Sequence, residues 1–417
     1  MSTNLNVGID ISLRKGAVSF LNQEGKHLCK VFEITNSPSG FDQLAEKISQ
    51  AVNQYNFQQI FLGLEATSNY GFHLMDYFTR TTLPCEVKVY QINAKYIKRF
   101  KKAFPEREKT DLVDAQFIAE YLRFGKLPVD YKPEALRLPL KRLVRYRYHL
   151  VKSIEREKKV FIANLFLLFP GWVQERPIKT LGATSMAVLN DLSLDDIVNT
   201  PLEEMATFVA KAGKNRSPDP EAIAEKIKQA ARESYRIRPE LANSCQFILA
   251  SITKTIAALK KALAELDNAI ACEGKGFINP LLSIKGIGPV YATGIIASIG
   301  DIKRFSSDDQ LARFAGLVWK RNQTGETELQ EKRLVKECDK YLRYYLVEAA
   351  NSLRTHNEEY QAYYLKKYHE VSTHQHKRAL VLTARKLVRL VFALLAKNQL
   401  YDPQRRFQSP VASCEEA

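Results

Sequence analysis

The opening of the chain constrains its fold most, because apolar and polar residues alternate there with the period of a β-strand. Asn6–Ile11, Gly16–Leu21 and His27–Thr35 carry this pattern, and turn residues such as those in Asn22–Gly25 separate them. Side chains of a strand point alternately to the two faces of its sheet. We therefore predict a three-stranded antiparallel meander at the N-terminus.

Helices and strands alternate after the meander. Ser39 is predicted to cap a helix over Gly40–Gln54; further helices are predicted near Gly71–Arg80, Ala94–Phe104 and Lys109–Phe124, and strands at Ile60–Glu65 and Val87–Ile92. This is the element order of a ribonuclease H-like domain, although unrelated α/β domains share it. In a ribonuclease H-like sheet, the first and fourth strands lie side by side.

The remainder of the chain is predicted to be helical. A boundary is expected near residues 125–140, where three prolines occur: Pro128, Pro133 and Pro139. Residues 141–270 show long helical periodicities with few breakers, which predicts extended or coiled-coil-like helices. We thus predict an α/β domain over residues 1–130, a helical or coiled-coil region over 131–275, a helical C-terminal domain over 276–403 and a loose tail over 404–417.

Positive charge is concentrated after the first domain. The chain has 62 Lys and Arg against 46 Asp and Glu, a net charge of +16, but residues 1–134 carry 17 basic and 15 acidic residues. The densest basic run, Lys141–Lys159, includes Lys141, Arg142, Arg145 and Arg147. Its apolar residues recur at helical spacing, so one helix face is predicted to be buried and the other cationic. This distribution predicts a nucleic-acid partner, with a merely solvated helix face as the alternative.

Several classes of protein and site are disfavoured. The uncharged stretches are shorter than the roughly 20 apolar residues that span a bilayer, and Met1–Ser12 lacks the basic start of a signal peptide. The six cysteines contain no CxxC pair, which is typical of reduced thiols in a cytoplasm. His374 and His376 lie close together, but an isolated histidine pair is more typical of a polar turn than of a zinc site.

Four carboxylates stand out in the first domain. Asp10 lies in the middle of an apolar strand, where a charge is costly unless it is paired or binds a cation. Glu65 ends the predicted fourth strand, and Asp111 and Asp114 share one face of a helix. If the first and fourth strands are neighbours, these four hard oxygen donors converge and suit Mg²⁺ or Mn²⁺. Taken singly, Asp111 is also a plausible helix cap, Asp114 a solvent-exposed residue and Glu65 a strand-end charge.

The motifs VGIDIS, GLEATSNYG and KTDLVDA together resemble the DEDD-type transposases, an insertion-sequence recombinase family that includes pilin-gene invertases. The resemblance covers nearly the whole chain. Its C-terminal part resembles the family's transposase domain through SIKGIGPVYATGIIASIGDIKRF, FAGLVWKRNQTGE and KYLRYYLVEAANS.

The resemblance implies a RuvC-like first domain in which Asp10, Glu65, Asp111 and Asp114 bind Mg²⁺ or Mn²⁺. It implies a DNA transposase or recombinase of a mobile insertion sequence, in a prokaryotic cytoplasm and associated with the nucleoid. It also implies a homodimer or homotetramer, in which the tetrad of one subunit meets the nucleophile of another. A structured noncoding guide RNA that pairs with donor and target DNA is a further implied partner.

The segment Ser283–Gly300 is predicted to be a helix-hairpin-helix. Its turn contains Gly286 and Gly288, its second helix begins at Pro289, and Lys285 lies beside the turn. Glycines permit the tight turn, and free amides at the helix start can hold a phosphate of the DNA backbone. A helical hairpin that only packs in the core is the alternative.

Thr324 stands where the resembled family carries the serine that attacks DNA, and Lys320 and Arg321, which precede it, are predicted to contact nucleic acid. A threonine hydroxyl can act as a nucleophile, but its methyl group restricts χ1. The following stretch departs from the family pattern at Val335, Cys338 and Asp339. Two alternatives to an active transposase are therefore a degenerate copy that only binds nucleic acid and a metal-dependent junction-resolving nuclease that uses water.

Overall fold

The computed structural model of the protein describes residues 4–66, 69–104, 110–124, 127, 137–216, 218–319, 323–324, 327–328 and 334–403. The chain forms two compact units, the first over residues 1–138 and the second over residues 139–417. No helix among the described residues is long and apolar enough to cross a membrane.

The first unit is built around a mixed five-stranded sheet. Its elements are, in chain order, β1 (Asn4–Ile11), β2 (Lys15–Leu21), β3 (Phe32–Thr35), α1 (Pro38–Tyr55), β4 (Gln59–Glu65), α2 (Phe72–Arg80), β5 (Glu86–Ile92), α3 (Ala94–Lys101) and α4 (Asp111–Arg123). The strand order is β3-β2-β1-β4-β5, with an antiparallel meander and two parallel pairs, β1–β4 and β4–β5. The predicted adjacency of the first and fourth strands is confirmed.

The start of β3 and the cap of α1 differ from the prediction. β3 begins at Phe32 rather than His27, and upstream of it only a single bridge joins His27 to Leu21. The cap of α1 is Ser37 and not Ser39, because Pro38 takes the first helical position and the Ser37 side chain accepts a hydrogen bond from the Gly40 amide at 3.3 Å. Proline favours this position, since the first amide of a helix has no partner within the helix.

Both faces of the sheet are covered. α1 and α2 pack over one face, in a core that includes Leu5, Val7 and Ile9 of β1. α3 and α4 contribute to a second cluster, made of Tyr90, Ile92, Ile97, Ile118 and Leu122. Because alternate residues of a strand point to opposite faces, Gly8 and Asp10 of β1 point away from α1.

The second unit is mostly helical, as predicted. Its helices are α5 (Arg137–Leu168), α6 (Pro170–Glu175), α7 (Ala183–Asp191), α8 (Leu194–Asn199), α9 (Leu202–Ala212), α10 (Pro220–Arg232), α11 (Pro239–Glu273), α12 (Pro289–Ile299), α13 (Asp308–Ala315), α14 (Lys340–His356), α15 (Glu358–His369) and α16 (Gln375–Lys397), and two short strands, β6 (Gln323–Thr324) and β7 (Thr327–Glu328), form a hairpin. 3₁₀ turns lie at Gly274–Gly276, Pro280–Ser283 and Ile302–Arg304.

The described residues of the second unit form two hydrophobic cores. One is formed around α6 to α10 and includes Trp172, and the other is formed by α12 to α16 and includes Tyr345. α5 and α11 contribute to both: Val144 and Ile270 lie in the second of these cores, whereas Leu165 and Ile256 lie in the first. The predicted division of this region at residues 275 and 276 stays a prediction.

Candidate active site

Asp10 and Glu65 are placed at the same edge of the sheet by the pairing of β1 with β4. The two strands are parallel, and Gly8 pairs with Gly63 while Ile9 pairs with Leu64. Continuing this register by one residue brings Asp10 opposite Glu65, at the carboxyl ends of both strands. Each acid lies two residues beyond a glycine, so the two acids share the face of those glycines.

The two paired glycines let α4 lie directly on the sheet. A Cβ atom at Gly8 would lie 2.3 Å from the carbonyl oxygen of Ala115 and 2.3 Å from the amide nitrogen of Ala119, both in the backbone of α4. A Cβ atom at Gly63 would lie 2.9 Å from the side chain of Leu122. Only a residue without a side chain permits such close approach of backbones. The start of α4 is thereby held against the end of β1.

The first turn of α4 supplies the other two acids. Thr110 caps the helix, and its side chain accepts a hydrogen bond from the Val113 amide at 3.3 Å. Asp111 and Asp114 follow in this turn, where the partial positive charge of a helix N-terminus favours carboxylates. We call Asp10, Glu65, Asp111 and Asp114 the acidic cluster.

Asp10 is the electrostatic centre of the acidic cluster. Burial, together with the negative charges of the other three members, Asp114, Asp111 and Glu65, raises the pKa of its carboxyl to about 6. The ammonium of Lys101 acts in the opposite direction. The other three acids that the sequence singled out therefore all act on Asp10 in the folded unit.

Lys101 is a member of the site that the sequence analysis missed. Its Nζ lies 2.6 Å from Oδ1 of Asp114, and the two side chains are only 25 % and 17 % exposed. The signal that points to this residue is the basic run KRFKK at residues 98–102, in a first domain that is otherwise nearly neutral.

The donor set of the acidic cluster suits a hard cation, because carboxylate oxygens are the ligands that Mg²⁺ and Mn²⁺ prefer. Within the described ranges, however, no group of three or more His, Cys, Asp or Glu side chains is arranged to hold a metal ion. Binding of a metal by the four acids stays a prediction. The structure shows three carboxylates acting on Asp10, and one of the three, Asp114, forms an ion pair with the Lys101 ammonium.

Thr324 and its neighbours belong to the second unit. Thr324 lies in β6, paired with Thr327 of β7 in an antiparallel hairpin. Lys320 and Arg321, predicted to contact nucleic acid, lie outside the described residues. The role of Thr324 as a nucleophile stays a prediction.

The basic run at the start of α5 has two kinds of residue. Arg142 and Arg145 are exposed, and the Arg145 guanidinium lies over the Tyr341 ring, 4.9 Å from its centroid. Lys141 is half-buried, and burial lowers its pKa, an effect that the charge of Arg145 increases. Its contact with nucleic acid, like that of Arg142 and Arg145, stays a prediction.

Arg147 was counted with the cationic face of the run, and that assignment is wrong. Its side chain is buried and forms a two-pronged ion pair with Asp267, with Nε–Oδ1 and Nη2–Oδ2 distances of 2.6 and 3.2 Å. Its Nη1 donates to the Tyr344 hydroxyl at 3.2 Å. This arginine joins α5, α11 and α14 inside the unit.

The predicted helix-hairpin-helix has only one α-helix at its turn. α12 begins at Pro289 as predicted, with Gly288 as its cap, but the segment before the turn is the single 3₁₀ turn Pro280–Ser283. Only nine residues separate Gly276 from Gly286, and Pro280 lies among them, so there is little room for an α-helix. Gly286 has a φ of 104°, in the region that favours glycine, and Lys285 and Gly288 are exposed.

Comparison with known proteins gives two family matches. Residues 7–170 match the model DEDD_Tnp_IS110, described as a transposase, and residues 278–365 match a model described as the transposase IS116/IS110/IS902 family. The acidic cluster lies within the first match and Thr324 within the second.

Two curated relatives are similar to the chain. A probable family 20 transposase of Pseudomonas aeruginosa is 31 % identical over 108 residues, which is 25 % of this chain and 32 % of that protein. The insertion element IS116 uncharacterized 44.8 kDa protein of Streptomyces clavuligerus is 24 % identical over 325 residues, 76 % of this chain and 78 % of that protein. The match with the Pseudomonas relative thus spans about a third of that protein.

Proposed function

Because the chain belongs to the IS116/IS110/IS902 family of transposases, we propose that it is the DNA recombinase of an insertion sequence and cleaves and exchanges DNA strands in a metal-dependent reaction. The observation that carries this proposal is the coupling of Asp10 to the other three acids at one edge of the sheet. A carboxyl whose pKa is raised by burial and by neighbouring carboxylates is typical of sites that bind cations or move protons.

We propose that the first unit is a RuvC-like domain, and its strand order supports this proposal. Asp10 and Glu65 would hold Mg²⁺ or Mn²⁺ from the sheet, and Asp111 and Asp114 would hold it from α4. A divalent cation bound there would withdraw charge from the scissile phosphate and stabilise the leaving oxygen. The close packing of α4 on Gly8 keeps the two sets of acids in a fixed relation to each other.

We propose that the Thr324 hydroxyl is the attacking group. Its Oγ1 would bond to the phosphorus of the scissile phosphate as the P–O3′ bond breaks, giving a 5′-phosphothreonine and a free 3′ hydroxyl, which takes up a proton as the threonine loses one. The exposed cations Arg142, Arg145 and Lys285, with Lys141, Lys320 and Arg321, would hold phosphates of DNA or of a structured guide RNA. Backbone contacts of this kind position nucleic acid without reading its sequence, which a guide RNA would do by base pairing. A homodimer or homotetramer would bring donor and target together.

The test is a recombination assay with supercoiled donor and target DNA, Mg²⁺ and the noncoding RNA transcribed from the flank of the element. Recombined junctions are expected with the unaltered protein and are expected to disappear with Asp10→Ala and with Thr324→Ala. Junctions that persist with Asp10→Ala would rule out the metal site in the acidic cluster.

A degenerate copy without recombinase activity is a second candidate, and the threonine at position 324 favours it because the resembled family carries serine there. This candidate predicts no junctions with the unaltered protein and activity with Thr324→Ser. A junction-resolving nuclease, in contrast, would release free 5′-phosphate ends without a covalent protein–DNA adduct. Trapping such an adduct therefore separates the two enzymatic candidates.

A further inference from the structure

Lys101 brings a positive charge among the acids of the cluster. It is the last residue of α3, and its ammonium is bound to Asp114 at 2.6 Å. The same ammonium acts on Asp10, the member of the cluster that the other three acids influence. The Lys101 ammonium therefore interacts with two of the four acids, Asp114 and Asp10.

The position of Lys101 is fixed by the packing of α3 on α4. The side chain of Ile97 in α3 is buried. The ring of Phe100 lies 5.5 Å from the ring of Tyr121 and 5.3 Å from the ring of Phe124, the C-cap residue of α4. The stem of Lys101 extends over α4, where its Nζ lies 5.8 Å from the centroid of Phe117. These apolar contacts direct the ammonium toward Asp114.

Partial burial makes this ion pair different from an exposed one. A solvent-exposed pair gains little, because water screens both charges. Lys101 and Asp114 are both mostly covered, so their attraction is stronger, and each would leave an unbalanced charge if the other were removed. An ammonium bound in this way occupies a carboxylate oxygen that a metal ion would need.

We propose that Lys101 is the resident counter-ion of the acidic cluster, and that a divalent cation has to displace its ammonium from Asp114 in order to use that carboxylate. This inference rests on the proposed function, because it assumes that the acidic cluster binds a divalent cation. It makes Lys101 a positioning residue that sets the metal affinity of the site.

The consequence is that removing the ammonium increases the affinity for a divalent cation. When the Lys101 ammonium is removed, it no longer competes with the metal for Asp114, and its positive charge no longer repels an incoming cation. A unit charge a few ångströms away in a partly buried site changes the binding of a divalent ion by about tenfold or more. We therefore expect Lys101→Met to bind Mn²⁺ about tenfold more tightly than the unaltered protein does.

The experiment is a titration of the full chain with Mn²⁺, in which electron paramagnetic resonance measures the free ion at pH 7. Lys101→Met keeps the apolar stem and removes the charge, whereas Lys101→Arg keeps the charge. Lys98→Met is the matched control, because Lys98 is exposed on the same helix, one turn before Lys101. Circular dichroism checks that each variant is folded.

The proposal is supported if Lys101→Met alone binds more tightly, while Lys101→Arg and Lys98→Met bind as the unaltered protein does. Equal or weaker binding by a folded Lys101→Met protein overturns it. An equal gain in Lys98→Met also overturns it, because the effect would then come from the overall charge. If neither the unaltered protein nor Lys101→Met binds Mn²⁺, both the metal-dependent function and the counter-ion role are refuted. Equal, measurable binding by the two proteins would refute the counter-ion role alone.

Discussion

Replacing Gly8 by alanine tests how α4 is held on the sheet. The new Cβ would lie 2.3 Å from two backbone atoms of α4, the Ala115 carbonyl oxygen and the Ala119 amide nitrogen. Real Cβ atoms essentially never lie closer than 3.0 Å to such atoms. The helix therefore has to move away by about 1 Å, because its backbone cannot rotate aside as a side chain does. Overpacking of this severity costs about 2–4 kcal/mol of stability in the first unit.

Gly63→Ala is the graded comparison, because Gly63 is the register partner of Gly8 on β4. Its new Cβ would lie 2.9–3.1 Å from the ends of the Leu122 and Ile92 side chains, which are able to rotate. Alanine also restricts the unfolded chain, which returns about 0.4–1 kcal/mol where the backbone conformation is allowed. We expect a net change within about 1 kcal/mol.

The assay is amide hydrogen exchange read by mass spectrometry on peptides from β1 and β2. Tryptophan fluorescence would not report on this unit, because both tryptophans, Trp172 and Trp319, lie outside it. Gly8→Ala should reduce protection of these peptides by about 100-fold, since 1.4 kcal/mol corresponds to a factor of ten. Protection that falls no more in Gly8→Ala than in Gly63→Ala would refute the backbone contact as the reason for this glycine.

Three further predictions concern charges. Because the pKa of Asp10 is raised from 3.8 to about 6, the folded unit binds a proton more tightly than the unfolded chain, and its stability falls as the pH rises from about 4 to 6. In urea unfolding without metal, Asp10→Asn should flatten this pH dependence and should be more stable than the unaltered protein by about 1–2 kcal/mol at pH 7. An unchanged pH profile in Asp10→Asn would contradict this prediction. Arg147→Met leaves the carboxylate of Asp267, whose side chain is 29 % exposed, without its partner and should cost about 2–3 kcal/mol in the second unit, measured by tryptophan fluorescence. Partial recovery is expected in the double variant Arg147→Met/Asp267→Leu, and a loss below about 1 kcal/mol would show that the pair is not structural. Arg145→Ala should weaken binding to a DNA duplex and lower the slope of log affinity against log salt by about one, whereas an unchanged slope would remove Arg145 from the phosphate contacts.

The sheet and its acids were accessible to prediction because their pattern is local. The alternation in the first 35 residues predicts the meander, and the position of Asp10 within an apolar strand marks it as unusual without any tertiary information. The adjacency of β1 and β4 followed from the element order. The predicted start of the third strand at His27 was wrong, because only the last four residues of that segment, Phe32–Thr35, pair with β2.

The partners of the charged residues could not be predicted from the sequence. Arg147 and its neighbours have the same basic character along α5, and only its contact with Asp267, 120 positions away, makes it a buried residue. Lys101 belongs to a basic run whose other members are mostly exposed, and its pairing with Asp114 depends on how α3 packs on α4. Such distinctions arise from long-range contacts, which leave no periodic trace in the sequence.

The two long helices of the second unit have a mechanical consequence. α5 spans 32 residues and contributes to both hydrophobic cores of the unit, as does α11. Leu165 lies 21 positions after Val144, which corresponds to about 30 Å of helix at 1.5 Å per residue. If α5 tilted by about 5° where it packs in one core, its part in the other core would move by about 3 Å. A small rotation of a long helix in one core is thus coupled to a larger displacement in the other.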